Sequence, residues 1–298
     1  MTLLQLSVVV PSVNTLRDVQ DCLDRLDSQR ADVELEVLLV ERQGEMTRKA
    51  VRESHPWVRV LEVDQLTTIP QMRALAFEAA EGAAIAVIED HVMVPDGWAR
   101  AMLTALEDSD GVVAGSVDNA ATETLMDWAC FLCEYSHCLP PIGGGKVDWL
   151  TGNNVTYRKD LLGRFRDAYQ AGKWENHLHE AFKAGGVDLV CHPEIVVGHK
   201  KHYSFGEYCS QRFLYSRSYT GARMQGQPFV KRFVFGAAAF LLPPVLFYRT
   251  IKSILSKGRY KGLLFKSLPL IALFVVAWGL GDVWGAWFGP GDSLAKVC

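Results

Sequence analysis

Short apolar runs alternate with amphipathic segments over the first 110 residues of the chain. The apolar runs lack a helical period and are too short for buried helices, so they predict strands covered on both faces. The segments between them carry apolar residues at helical spacing and predict helices. The predicted strands cover residues 4–10, 34–40, 58–63 and 84–88. This alternation predicts an α/β fold of the doubly wound, Rossmann-like kind, with a parallel sheet and right-handed crossovers.

Capping and turn residues indicate the helix boundaries. Asn14 is expected to cap the first helix, whose apolar stripe ends at Leu26. A further helix is expected over residues 69–80, and another begins near Trp98, after the turn that Pro95 closes. Helices of this length between buried strands fit a doubly wound architecture.

Polar residues gather where the predicted strands end. The strand at residues 84–88 is followed at once by Glu89, Asp90 and His91, and the first two strands end in Pro11-Ser12 and Glu41. The carboxyl ends of parallel strands share one edge of a sheet, where ligands bind. These residues therefore predict a nucleotide-sized crevice with a metal and phosphate site. The simpler alternative is an acidic, solvated turn between strand and helix.

No glycine-rich G-x-G-x-x-G or P-loop pattern follows any predicted strand. This absence disfavours dinucleotide cofactors, ATPases and the nucleotidyltransferases that activate sugars.

Charge is distributed unevenly. Residues 231–298 have a balance of +7, which leaves −10 for residues 1–230 out of the total of −3. An acidic body with a basic, apolar tail predicts a catalytic domain over residues 1–230 and a membrane-associated helical region over residues 231–298. It also disfavours nucleic acid as a partner, since the body repels phosphate backbones.

The tail contains two long apolar runs. Residues 233–248 carry no charge and include Pro243-Pro244, whereas residues 267–288 are interrupted only by Asp282 and are long enough to cross a bilayer. The first run is expected to bend back, and the basic segment between the runs is expected on the cytoplasmic face. A buried helical hairpin of a soluble protein is the alternative. Three tryptophans fit an interfacial belt: Trp278, Trp284 and Trp287.

The chain has seven cysteines without an even framework, which predicts reduced thiols and a cytoplasmic catalytic domain. A zinc site formed by Cys130, Cys133, Cys138 and His137 is one alternative. Their helical spacing instead favours the small apolar face of a helix. No signal peptide is evident at the start of the sequence.

Three further segments contribute polar residues in a particular order. They are Gln71-Met72-Arg73-Ala74, Trp149-Leu150-Thr151-Gly152-Asn153-Asn154 and Trp174-Glu175-Asn176. Together with the residues at the sheet edge, they resemble the motifs of the inverting family 2 glycosyltransferases, which have the GT-A nucleotide-sugar-binding fold. The resemblance covers most of the chain and implies that fold, a nucleoside diphosphate sugar donor and a divalent cation, Mn²⁺ or Mg²⁺.

The resemblance also implies a role for each motif. The donor would be bound by Pro11, Ser12, Glu41, Arg73, Asp90, Gly152, Asn153 and Asn154. The metal would be bound by Glu89, Asp90 and His91, and Glu175 would be the catalytic base. His199 is a weaker candidate near the diphosphate. Structural alternatives stay open: Arg73 as a surface charge, Gly152 to Asn154 as a turn, Glu175 as a first-turn acid and His199 as a structural histidine.

Two departures from the family pattern stand out. His91 replaces the usual third Asp of the metal motif, and Asn176 replaces the Asp of the Glu-Asp pair. The segment from Gln211 to Arg223 matches the Gln-x-x-Arg-Trp element of processive synthases only loosely. A single inverting transfer from a UDP- or GDP-sugar to an acceptor hydroxyl at the membrane, such as a lipid or lipid-linked glycan, is therefore the expected function. The alternatives are a catalytically inactive nucleotide-sugar-binding scaffold at the membrane and a structural membrane adaptor.

Overall fold

A computed structural model describes residues 4–298 and divides the chain into two compact units. The sheet unit consists of the chain up to Ala120 together with Pro140–Lys200. The helical unit consists of Ala121–Leu139 and Lys201–Cys298. The division therefore differs from the boundary predicted at residue 230, because two earlier segments group with the C-terminal helices.

The sheet unit contains a nine-stranded sheet with the order β3-β2-β1-β4-β8-β6-β9-β5, and β7 pairs with β9. The strands are β1 Leu6–Ser12, β2 Leu35–Glu41, β3 Arg59–Glu62, β4 Ala84–Ile88, β5 Val92–Met93, β6 Val112–Asn119, β7 Gly145–Val147, β8 Asn154–Arg158 and β9 Leu189–His199. All four strands predicted from the apolar runs are present, and β4 has the predicted bounds.

One half of the sheet is parallel and the other is mixed. β1 pairs in parallel with β2 and β4, and β2 pairs in parallel with β3, as the alternation of strands and helices predicts. Beyond β4 the pattern changes because β8 inserts antiparallel between β4 and β6. β9 is parallel to β6, and the short β5 pairs antiparallel with β9.

The sheet unit contains eight helices or helical turns among its described residues. They are α1 Leu16–Asp27, α2 Glu45–Ser54, α3 Ile69–Ala79, α4 Trp98–Glu107, α6 Lys159–Arg164, α7 Arg166–Gln170, α8 Glu175–Ala184 and a 3₁₀ turn at Ser28–Ala31. Thr15, not the predicted Asn14, caps α1, and its hydroxyl and the Asp18 carboxylate form a reciprocal capping box. Asn14 is held elsewhere, by the carboxylate of Asp90.

The helical unit contains α5 Leu125–Tyr135, α9 Phe205–Met224, α10 Phe229–Ala239, α11 Leu242–Lys257, α12 Lys261–Phe288 and a 3₁₀ turn at Ser293–Lys296. α12 packs closely on α9 because Gly281 and Gly285 have no side chain: a Cβ at either would collide with the α9 backbone. In α5, Ala129 and Cys130 pack with Tyr208 and Phe274 in a buried cluster. Burial raises the pKa of the Cys130 thiol, and this cysteine packs as an apolar side chain in the cluster.

One described helix, Lys261–Phe288, is long and apolar enough to cross a membrane. The first apolar run of the tail is broken, since α10 and α11 meet at an angle of 51°. The break follows from Pro243 and Pro244, which lie in the first turn of α11, where proline is tolerated.

Candidate metal and donor site

Asp90, which lies two residues after β4, forms hydrogen bonds with the loop that follows β1. Its carboxylate is fully buried and accepts hydrogen bonds from the backbone N–H groups of Val13, at 2.7 Å, and Asn14, at 2.8 Å. The side-chain amide of Asn14 donates a third, at 2.6 Å. Asp90 therefore fixes the loop that follows β1, the loop expected to seat the nucleotide.

The same carboxylate orients His91. Nδ1 of His91 lies 2.9 Å from Oδ1 of Asp90 and 3.1 Å from the amide nitrogen of Asn14. A carboxylate is the stronger partner, so we assign the proton to Nδ1 and the lone pair to Nε2. Burial alone raises the pKa of Asp90, but the hydrogen bonds from His91, Asn14 and Val13 outweigh it and hold that pKa below its usual range.

Three side chains converge on one point at the sheet edge. Nε2 of His91 lies 3.4 Å from Oε2 of Glu89 and 2.9 Å from Nε2 of His199, and Nε2 of His199 lies 3.8 Å from the same Glu89 oxygen. Two imidazole nitrogens and one carboxylate oxygen form a donor set that suits a divalent transition metal. We name these three residues the metal cluster.

The metal cluster differs from the set that the sequence predicted. Glu89 and His91 belong to it. The oxygens of Asp90 instead accept hydrogen bonds from Val13 and Asn14 and lie outside the cluster. His199, the weaker candidate, takes the third place because β5 pairs with β9 and sets Val92 opposite His199. Asp90 thus contacts Nδ1 of His91, the ring nitrogen that faces away from the cluster. A carboxylate in that position fixes the tautomer and ring orientation of a metal-binding histidine.

The segment after residue 150 supports the metal cluster from one side. The amide of Asn153 donates to Oε2 of Glu89 at 3.2 Å, and the Thr151 hydroxyl donates to the Asn153 carbonyl oxygen. Asn153 therefore orients Glu89, and Thr151 orients Asn153. Sequence reasoning gave Asn153 a contact with the donor and gave Thr151 no role.

Asn154 has a structural role instead of the predicted donor contact. Its amide nitrogen donates to the carbonyl oxygens of Ser116 and Ile195, and its own carbonyl oxygen accepts from the indole of Trp98. The residue is fully buried and both ends of its side chain are used. Side-chain amides satisfy neighbouring strands as readily as ligands, and Asn154 bonds to protein groups through both its nitrogen and its oxygen.

Arg73 and Glu175 form a close ion pair. Nη1 of Arg73 lies 2.6 Å from Oε2 of Glu175, which is the first residue of α8. Burial by itself lowers the pKa of Arg73, but Glu175 and Glu89 together raise it, so the guanidinium stays charged beside both carboxylates. Arg73 is buried, which excludes the alternative of a surface charge.

Gly152 makes room for Glu175. A Cβ at Gly152 would collide with the carboxylate carbon of Glu175, so no larger residue fits without moving that side chain. This contact gives the predicted glycine a specific function in the site. The Glu175 side chain keeps one fifth of its surface exposed, which leaves it accessible to an acceptor.

The remaining predicted residues lie at the ends of β1 and β2, where Ser12 pairs with Glu41. The Glu41 carboxylate is buried, accepts from the backbone N–H groups of Gln43 and Gly44 and binds Nη1 of Arg48 at 3.1 Å. The Ser12 hydroxyl is buried and has no hydrogen-bond partner among residues 4–298. A donor without a protein partner fits a ligand oxygen at this edge.

Asn14 is the functional residue that sequence reasoning missed. Its only sequence signal was its place directly after β1, and that signal favoured a helix cap. Sequence reasoning also gave no site role to His179. The Tyr157 hydroxyl lies 2.8 Å from Nε2 of His179, behind the Arg73–Glu175 pair, in a narrow cavity that Tyr157 shares with both members of the pair.

Comparison with known proteins bears on the family and the fold of the chain. Residues 7–146 match the family model described as Glycosyl transferase family 2. The fold is similar to the mannosyltransferase PcManGT from Pyrobaculum calidifontis, solved with GDP-Man and Mn²⁺, at a TM-score of 0.56 and 16% identity, covering 94% of this chain and 87% of that one. It is also similar to residues 1–349 of TarS from S. aureus, at a TM-score of 0.51 and 13% identity, covering 94% of this chain and 90% of that one. No curated protein sequence matches the chain.

These findings define a protein with the GT-A fold of glycosyltransferases. Residues 7–146 match the family 2 glycosyltransferase model, and the resemblance and fold class predicted from the sequence are confirmed.

Proposed function

We propose that the chain transfers a sugar from a nucleoside diphosphate sugar, a UDP- or GDP-sugar, to an acceptor hydroxyl, with inversion and with a divalent metal. The observation that carries the proposal is the metal cluster of Glu89, His91 and His199, together with the ion pair between the charged Arg73 and Glu175. The family 2 domain supports glycosyl transfer. The similar PcManGT structure, which contains GDP-Man and Mn²⁺, supports the donor class and the metal.

The donor set of the metal cluster fits Mn²⁺ better than Mg²⁺, since imidazole suits transition metals and Mg²⁺ prefers oxygen ligands. When bound, the ion supplies charge stabilisation for the diphosphate leaving group. Asp90 holds Nδ1 of His91, which aims Nε2 at the cluster, and Asn153 holds Oε2 of Glu89. These contacts preorganise two of the three ligands before an ion arrives.

Glu175 is proposed to take the proton from the acceptor hydroxyl. Arg73 positions the Glu175 carboxylate through the 2.6 Å ion pair, and Gly152, which has no side chain, leaves room for that carboxylate. A base that deprotonates the acceptor during a direct displacement gives inversion at the anomeric carbon. Pro11, Ser12 and Glu41 are proposed to seat the nucleotide at the edge formed by β1 and β2.

The acceptor is proposed to be a lipid or lipid-linked glycan, with the catalytic unit on the cytoplasmic side of the membrane. The support is the apolar C-terminal helix Lys261–Phe288 and the seven cysteines, which form no disulfide among residues 4–298. Reduced thiols are typical of the cytoplasm.

The experiment is to incubate purified protein with a panel of UDP- and GDP-sugars, with and without Mn²⁺, and to measure nucleoside diphosphate release. Metal-dependent release from one donor, reduced in Glu175→Gln, is the expected result. Binding of a nucleotide sugar without turnover would instead identify a catalytically inactive scaffold, and absence of binding would identify a structural adaptor.

A further inference from the structure

The helical unit exposes a continuous apolar stripe along α12. From Leu273 to Phe288, large apolar side chains recur every three or four residues on one side of this helix, so they share one face. The stripe consists of Phe265, Leu273, Val276, Leu280, Trp284 and Phe288, each at least 45% exposed. The opposite side of α12 is buried, with Phe274 and Gly281 among its fully covered positions.

α10 extends this stripe at its C-terminal end. The indole of Trp287 lies against Gly236 and donates to the carbonyl oxygen of Phe233 at 3.2 Å, and the two aromatic rings stack with centroids 5.8 Å apart. Arg232 donates to the carbonyl oxygens of Ala286 and Trp287 and so fixes α10 to the end of α12. The exposed side chains of α10 therefore lie beside the stripe. We call the stripe and Phe229, Val230, Phe233 and Val234 together the apolar face.

The helix on the buried side of α12 carries positive charges along its length. α9 contacts α12 from Phe274 to Gly289 and includes Arg212, Arg217 and Arg223. Arg212 pairs with Glu134 at 3.2 Å and covers the ring of Trp278, and Arg217 donates to the carbonyl oxygen of Gly289. If α12 crossed a bilayer, α9 would carry these guanidinium groups to the same depth, which is costly.

The net positive charge of residues 229–290 suits a membrane with anionic lipids. Between residues 229 and 290 the only acid is Asp282, which is buried and bonded to the Thr220 hydroxyl. The same stretch contains eight Lys and Arg residues, among them the exposed Arg249, Lys252 and Lys266. An apolar helix face with basic residues at its edges suits an anionic leaflet, where side chains enter the acyl boundary and lysines meet the head groups.

We infer that the helical unit is an in-plane anchor: the apolar face lies in the surface of an anionic lipid leaflet, and α12 runs along that surface without crossing it. The inference rests on the membrane location in the proposed function but is independent of the proposed chemistry. It differs from the expectation that the second apolar run spans the bilayer, because α12 has only one face free for lipid.

The test is flotation of the full chain with vesicles of phosphatidylcholine alone and of phosphatidylcholine with phosphatidylglycerol. We expect binding to the anionic vesicles to be about tenfold stronger or more, and to weaken with salt. The double variant Leu273→Glu, Leu280→Glu is expected to lose about tenfold or more of that binding. Leu66→Glu is the matched control, because Leu66 is exposed in the sheet unit, and it is expected to bind like wild type. Both changes are at exposed sites, and circular dichroism checks the fold.

Intact cells that express the full chain give the second measurement. Lys261→Cys and Phe288→Cys, at the two ends of α12, are expected to react no more than wild type with a membrane-impermeant maleimide added to intact cells; extra labelling of one end only would show a crossing helix and overturn the inference. Equal binding to neutral and anionic vesicles would overturn the charge argument. A dimer in solution that the Leu273→Glu, Leu280→Glu variant dissociates would assign the apolar face to a second copy instead. Vesicle binding without nucleoside diphosphate release would leave the anchor standing and refute the proposed chemistry.

Discussion

Nε2 of His91 and Nε2 of His199 lie 2.9 Å apart, although 108 residues separate them in the chain. The distance is set by the short β5–β9 ladder, in which Val92 pairs with His199. Their ring planes meet at 89°, so one nitrogen points at the other across the site. Two histidine nitrogens this close, with a carboxylate oxygen beside them, are arranged to share one ion.

Metal preference follows from this arrangement. Wild type is predicted to turn over donor faster with Mn²⁺ than with Mg²⁺, and His91→Asp to gain use of Mg²⁺, because it replaces an imidazole with an oxygen ligand. His91→Ala is predicted to lower rate and metal dependence together. Nucleoside diphosphate release in each metal measures all three. His192→Ala, at the surface of β9, is the control; a His91→Ala protein with the wild-type metal preference would show that His91 is no ligand.

Removing the base is predicted to slow the chemical step. Glu175→Gln keeps the shape of the side chain but cannot accept a proton, and loss of a general base typically costs ~10²–10⁴-fold in rate. Donor affinity is predicted to change little, because the base acts on the acceptor. Steady-state kinetics and donor titration separate the two effects. Glu180→Gln, an exposed acid on the same helix, is the matched control; a Glu175→Gln enzyme as fast as this control places the base elsewhere.

The space beside the base offers an independent test. Gly152→Ala places a Cβ where the Glu175 carboxylate now lies, so that side chain has to move. We predict a loss of about tenfold or more in kcat, since small misplacements of a catalytic group cost up to ~10²-fold. Gly163→Ala is the control, because a Cβ there meets nothing within 4 Å. Unchanged kcat in Gly152→Ala would mean that the position of Glu175 does not limit the reaction.

The buried His179 makes stability dependent on pH. Burial lowers its pKa from 6.5 to about 4, so the folded protein keeps it neutral while the unfolded chain takes up a proton. Stability is therefore predicted to fall as pH drops from about 6.5 to about 4, by up to roughly 3 kcal/mol from this residue. Denaturant unfolding at a series of pH values measures it. His179→Gln is predicted to reduce the change in the free energy of unfolding with pH, and His192→Gln is predicted to leave that change as in wild type. Equal pH dependence in all three proteins would refute the role of His179.

Local patterns predicted the local structure well. The strand Ala84–Ile88 and the helix beginning at Ile69 follow from apolar runs and periodicity, which depend only on neighbouring residues. The end of that strand pointed to Glu89 and His91, whereas Arg73 and Glu175 were named only through the resemblance to family 2 glycosyltransferases.

The features that the sequence did not predict depend on contacts between residues that are far apart in the chain. Asn14 sits where a helix cap is expected, but its amide is taken by Asp90, 76 residues away. Asn154 follows a glycine turn typical of a binding loop, yet its amide nitrogen donates to β6 and β9 and its carbonyl oxygen accepts from the indole of Trp98. The helical unit begins at Ala121 because α5 packs with Phe274, which lies far along the chain. Such partners become visible only when strands and helices are paired in space.

The metal cluster is tested most directly by diffraction at the manganese absorption edge from crystals soaked with Mn²⁺ and a nucleoside diphosphate. We predict one anomalous peak within coordination distance of Oε2 of Glu89 and Nε2 of His91 and His199. The Asp90 carboxylate is predicted to remain bound to the backbone of Val13 and Asn14. A peak coordinated by Asp90, or no peak at the metal cluster, would contradict this prediction.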